Sequence, residues 1–193
     1  MRTKEGNKEK DILDAAVEVF ANDGFHKSKI SKIATLANVA TGSIYLYFEN
    51  KEHILLRIFE KLWSNIYKEA EALNQSKLDP VEKIEKLVDL FFSYFNENPR
   101  LALVYVKEQD NINLKGTLFY TYHEGFLDIG EDIFNQGIQQ GKFNKNINVK
   151  VLRHFIFGGS RNLLHLWAED SSFHQLNSIG QSVKNLIKNG ILL

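Results

Sequence analysis

Apolar residues recur at three- and four-residue spacing along almost the whole chain, which predicts helices. From Lys8 to Asn22 the stripe is Ile12, Ala15, Ala16, Val19 and Phe20, and Asp23-Gly24 supplies a left-handed stop. Ser28 is placed to cap a second helix carrying Ile30, Ile33, Ala34 and Ala37. Asn38 follows at a sharp turn, where asparagine tolerates positive φ. Val39 and Ala40 lead into a third helix ending near Phe48. A long helix from Lys51 to about Leu73 carries Ile54, Leu55, Ile58, Leu62, Ile66 and Tyr67 on one stripe. Asp79-Pro80-Val81-Glu82 starts the next, with Pro80 at the first helical position and Asp79 and Glu82 as a capping pair, and it runs to about Phe95. Further helices are expected from Pro99, from about Leu114 to Gln140 with Gly141 as the stop, from Val149 to Ala168 and from Ser172 to Asn189. There are only two prolines, and no alternating β-branched runs are joined by a tight turn. The fold class is therefore all-α, with a three-helix module in residues 1–50 and a larger helical domain in residues 51–193.

The third helix raises a functional question. Ile44 and Phe48, four apart, can face a core, which leaves Thr41, Gly42, Ser43, Tyr45 and Tyr47 unexplained. In a helix-turn-helix unit the second helix enters the major groove and reads base edges from its N-terminal end. Small hydroxyls beside a glycine allow that close approach. A plain three-helix core with a solvated outer face explains the spacing equally well, and a phenol such as Tyr47 packs in cores as readily as it reaches phosphate.

Charge tips the balance by its distribution. The chain has 24 basic and 24 acidic residues, so the overall balance carries no nucleic-acid signal. Yet Gly24 to Phe48 holds no Asp or Glu, while it holds His26, Lys27, Lys29 and Lys32. Carboxylates would repel phosphate, so their absence there matters. Lys51 opens the next helix, where free N–H groups and the dipole favour phosphate. There are no cysteines, the first 20 residues lack the apolar run of a secretion signal, and no segment approaches the roughly 18 apolar residues of a membrane span. A cytoplasmic protein without membrane contact is expected.

The run "ILDAAVEVFANDGFHKSKISKIATLANVATGSIYLYFENKEHIL" resembles the DNA-binding domain of the TetR family of repressors, over about the first 55 residues. That resemblance implies that Thr41, Gly42, Ser43 and Tyr45 face bases of a double-stranded operator, that Tyr47 and Lys51 meet phosphates, and that Lys29 and Ser31 add weaker contacts. Asn38 stands where the family usually has a turn glycine, and Ala40-Thr41 replaces a common Ser-Lys pair, removing one positive charge.

In the remainder, nine of the 36 residues from Phe91 to Phe126 are aromatic, about twice the 12% of the whole chain. Each could fill a core; together Phe91, Phe95, Tyr105, Phe119, Tyr122 and Phe126 could wall an apolar pocket. The TetR resemblance implies a small-molecule effector here and a homodimer. "GIQQGKFNKNINVKVLRHFIFGG" and "LHLW" are similar to the acyl-CoA-responsive repressors of fatty-acid degradation, the FadR group. That implies a tunnel for a long-chain acyl-CoA with basic groups at its mouth, for which Arg161, Arg100 and Lys107 are candidates. A drug-like or aromatic effector, as in efflux repressors, and an acyl-CoA or lipid carrier without a DNA role are the alternatives. Leu152, Phe155, Gly159, Leu163 and Trp167, with Val183, Leu186 and Ile187, are the expected dimer face. Gly158-Gly159 costs about 1 kcal/mol per glycine mid-helix, which close helix approach would offset. No enzyme is expected: His154 and His165 lie about 16 Å apart along one helix, too far to share a metal, and the carboxylates after His123 read as a solvated face. No cofactor and no metal is expected.

Overall fold

A computed structural model describes residues 8–109, 116–170, 172 and 175–191. Among the described residues there are nine helices: α1 (Lys8–Asp23), α2 (Ile30–Leu36), α3 (Thr41–Ile44), α4 (Lys51–Gln75), α5 (Pro80–Glu97), α6 (Pro99–Glu108), α7 (Leu118–Gln139), α8 (Val149–Glu169) and α9 (Leu176–Ile191). None of the described helices is long and apolar enough to cross a membrane.

The turn between α2 and α3 forms as its residues dictate. Asn38 takes φ +55°, and the Val39 N–H reaches back to the Ala34 carbonyl at 3.0 Å, which closes the helix end with asparagine in the left-handed position. Ser28 does not cap α2. Its hydroxyl donates to the Phe25 carbonyl at 2.6 Å, and Lys29 holds the cap position without a side-chain bond. The third helix is a single α turn, continued to Phe48 only by turn hydrogen bonds.

At the start of α5 the Asp79 and Glu82 side chains form the full capping box. The expected beginning of α7 near Leu114 lies outside the described residues; Thr117 caps the helix from Leu118. The last helix starts at Leu176 rather than Ser172, because Asp170 Oδ1 accepts both the N–H and the O–H of Ser172, at 2.9 and 2.6 Å, and holds a local turn there.

Two connections hold the first three helices to the rest. The stem of α4 packs against α1, α5 and α7, burying Ile54, Leu55, Phe59, Trp63 and Ile66. On α6, Arg100 pairs with Glu18 at 2.9 Å and donates to the Asn22 side chain at 2.6 Å, both on α1. One hydrophobic core runs through both parts, from Ile12 to Ile187.

After α7 the chain folds back at Gly141, and Phe143 lies so close over Gly137 that a Cβ there would overlap its ring. Phe143 is itself buried, so it has little room to yield. Gly137→Ala is expected to lower stability by about 1–3 kcal/mol through overpacking, a fall in Tm of roughly 2–4 °C for each kcal/mol. Thermal melting checks this, and an unchanged Tm would show that Phe143 can leave at no cost.

Candidate nucleic-acid and effector sites

The short helices present an exposed face with no carboxylate of their own, although Lys32 is paired with Asp23 of α1 at 2.7 Å. Lys29, Ser31, Thr41 and Gly42 are exposed, Tyr45 keeps 55% of its surface, and Ser43 is half-buried. Tyr47 is also half-buried and packs against the core. Leu36 and Leu46 were not expected here, yet they are 56% and 83% exposed. The signal was in the spacing: Leu36 falls outside the apolar stripe of α2, and Leu46 lies opposite Ile44 and Phe48. Exposed aliphatic groups beside hydroxyls suit thymine methyls.

Lys51 is a correction. Its ammonium donates to the carbonyls of Phe25, His26 and Ser28 at 2.7, 3.1 and 3.4 Å and sits 4.6 Å from the Phe25 ring centroid. Three N–H donors meet three carbonyls, so the side chain clamps the loop before α2 rather than reaching outward to phosphate. The cap of α4 comes from Asn50, whose side chain accepts the His53 N–H at 2.7 Å.

An apolar cavity of about 60 Å³ lies between α5, α7 and α8. Phe91 and Phe126 line it as expected, together with Phe134, Ile156, Phe157, Arg153 and Ser160. Ligand sites are commonly about 300–1,000 Å³, so this one is too small to hold a long acyl chain as it stands. Phe95, Tyr105 and Phe119 do not border it. They are buried around the α4 residues Phe59 and Trp63, which fill the space a tunnel would need. Tyr122 faces another way, against Tyr67 and beside Arg57 and Glu9. Arg161 lines a separate polar basin between α6 and α8, with Gln109, His154, Phe157 and His165. Arg100 is committed to α1 and Lys107 does not border the basin.

At the centre is Trp63, fully buried, with His123, Phe126 and Phe157 at ring-centroid distances of 4.7, 5.5 and 6.0 Å. Its indole N–H has no acceptor among the described residues. A buried donor left so costs about 1–3 kcal/mol. Arg153 uses both terminal nitrogens on Glu124, Asp128 and Glu131, while its Nε has no acceptor among the described residues. Burial opposes the Arg153 charge, but Asp128, Glu124 and Glu131 carry the guanidinium above its ordinary pKa. The carboxylate row on α7 is thus an ion-pair network, not the solvated face the spacing suggested.

Burial lowers the pKa of His123 below its ordinary value, against the opposing pull of Glu124, and the charges of Arg161 and Arg153 push it the same way as burial. The folded value lies below the unfolded one, so the unfolded chain takes up the proton first as pH falls. His123 therefore leaves stability intact above its ordinary value of 6.5 and erodes it below. The urea midpoint is expected to fall between about pH 7 and about pH 5.5, and His123→Gln to flatten part of that fall. The same slope in the variant would assign it to other groups.

The expected dimer face divides. Trp167, Val183 and Ile187 are turned into this protomer's own core, which removes them from contact with a second copy. Leu152 and Leu163 are half-buried. Phe155 and Leu186 remain 78% and 73% exposed, joined by Val151 and Leu166, which the apolar count had not singled out. Among the described residues, nothing beyond the helix's own neighbouring backbone would lie within 4 Å of a Cβ at Gly158 or Gly159. The cost of these glycines is therefore not offset by packing against the described residues of the protomer.

Residues 12–58 match the family described as bacterial regulatory proteins, tetR family, and residues 59–190 match the C-terminal region of YsiA-like proteins. The chain is 35% identical over 182 residues to the fatty acid metabolism regulator protein of Bacillus subtilis, covering 93% of each. It is similar to the crystal structure of the transcriptional regulator FadR from Bacillus subtilis in complex with stearoyl-CoA, at 34% identity and a TM-score of 0.83, covering 94% of this chain and 98% of that one. The fatty acid degradation regulator FadR from Bacillus halodurans matches at 30% identity and a TM-score of 0.82, with 94% and 98% covered.

Proposed function

The chain belongs to the tetR family of bacterial regulatory proteins, and from that premise we propose that it is a homodimeric, cytoplasmic repressor of fatty-acid metabolism genes, released from its operator by long-chain acyl-CoA. The reading head is residues 1–50, and residues 51–193 bind the effector and form the dimer. One observation carries the reading: a single helix, α4, is clamped to the reading head by Lys51 and packed through Trp63 against Phe126 and Phe157, two walls of the apolar cavity.

Thr41, Gly42, Ser43 and Tyr45 read bases, with Leu36 and Leu46 against thymine methyls, and Tyr47, Lys29 and Ser31 position the helix on the backbone. In the dimer, α8 and α9 meet their symmetry mates in a four-helix bundle, with Phe155, Leu186, Val151 and Leu166 at its centre and the glycines at the closest approach. Two heads about 34–36 Å apart then fit successive major grooves. An acyl chain enlarging the closed cavity favours a state in which α4 sets the heads at another spacing. Coupling is reciprocal, so operator DNA weakens acyl-CoA binding by the same factor.

The relatives are transcriptional regulators, which sets aside the carrier without a DNA role. An aromatic effector is the second reading, favoured by Phe91, Phe126, Phe134 and Phe157 in the cavity wall. A thermal-shift screen separates the two: long-chain acyl-CoA raises Tm in the first, aromatic compounds in the second. Operator binding is tested on the duplex upstream of the protein's own gene against a scrambled duplex. Selective binding that weakens steeply with salt is expected. Equal affinity for both duplexes at every salt concentration would remove the repressor reading.

A further inference from the structure

We propose that the indole N–H of Trp63 senses the effector by donating to the carbonyl oxygen of its acyl thioester, which reaches it when the ring of Phe157 swings aside. This rests on the acyl-CoA reading above and names the contact that makes that site a switch.

Phe157 is the shared wall of two spaces and also packs against Trp63. It lines the apolar cavity, it lines the polar basin that holds Arg161, and its ring lies 6.0 Å from Trp63. Moving this one side chain therefore joins an apolar end, suited to an alkyl chain, to a polar mouth, suited to an anionic headgroup. The junction of chain and headgroup then falls beside Trp63. A thioester places its carbonyl at that junction.

The donor demands such a partner. Indole N–H donates only, and here the ring is buried among His123, Phe126, Phe157, Tyr105 and Phe119, none of which accepts from it. Arg153, the cation that lines the apolar cavity, already faces Glu124, Asp128 and Glu131, so a carboxylate there would compete with three others for it. A neutral carbonyl carries no such penalty. The bond forms only with effector bound, so it is a differential contact of the kind that shifts a two-state equilibrium. Its location serves that purpose: Trp63 lies on α4, about 18 Å along the helix from the Lys51 clamp.

The test titrates the parent dimer and Trp63→Phe with palmitoyl-CoA and with hexadecyl-CoA, a thioether of the same chain length that lacks the carbonyl. The parent is expected to prefer palmitoyl-CoA about tenfold, equivalent to about 1.4 kcal/mol. Trp63→Phe is expected to bind both at the affinity of the thioether. An equal preference in parent and variant, or equal affinity of the parent for both ligands, overturns the Trp63 contact and leaves the acyl-CoA reading standing. No binding of either ligand by the parent overturns both.

Discussion

Phe155→Glu is expected to yield a folded monomer that binds the operator about a hundredfold more weakly than the parent, the low end of what linking two binding modules contributes. Phe155 is 78% exposed, so the substitution removes nothing from the protomer's own core. In the dimer it would bury a carboxylate against the apolar strip of the second copy, without a partner charge. Leu186 at 73% and Val151 at 63% are also exposed, large apolar side chains left uncovered by the protomer itself. Sedimentation of the variant and its operator titration check the two halves of the prediction. A variant that stays dimeric would place the interface on another face.

Lys51→Met is expected to weaken operator binding about tenfold without changing its salt dependence. Charge-assisted hydrogen bonds contribute about 1.5–3 kcal/mol each, and Lys51 makes them to Phe25 and His26, with a longer one to Ser28. Methionine keeps an apolar stem over the Phe25 ring but releases the loop before α2, so the reading helix loses its fixed position. A phosphate contact would behave differently: its loss lowers the salt slope by about one. Operator titrations at several salt concentrations distinguish the cases, and a slope reduced by one would return Lys51 to the phosphate role that its position in the sequence suggested.

What could be read from the sequence was local. Asp79, Pro80 and Glu82 announce their helix because the capping box is made within four residues. Asn38 marks the sharp turn because few residues adopt positive φ. The acid-free window and the hydroxyls at Thr41 and Ser43 are likewise visible without a fold. Two misreadings were local as well, the Ser28 hydroxyl turning back to Phe25 and Asp170 holding Ser172 in a turn, while those at the functional sites depended on where distant residues meet. Lys51 turns inward because carbonyls 23–26 residues earlier come within reach. Phe95, Tyr105 and Phe119 fill a core because α4 inserts Phe59 and Trp63 among them. On α8 the apolar residues spread around so much of the helix that spacing could not say which half faces inward. Trp167 and Leu164 do, while Phe155 and Leu166 do not. The role of Phe157 was hidden for the same reason, since a shared wall exists only once three helices have packed.

The coupling between effector and operator is measured most directly by fluorescence anisotropy. The labelled duplex from upstream of the protein's own gene is titrated with the dimer, with and without stearoyl-CoA, at one fixed salt concentration. Operator affinity is expected to fall at least about fivefold when stearoyl-CoA saturates the protein, the lower bound of ordinary allosteric coupling. Tight operator binding that stays the same with stearoyl-CoA bound would contradict the switch carried by α4.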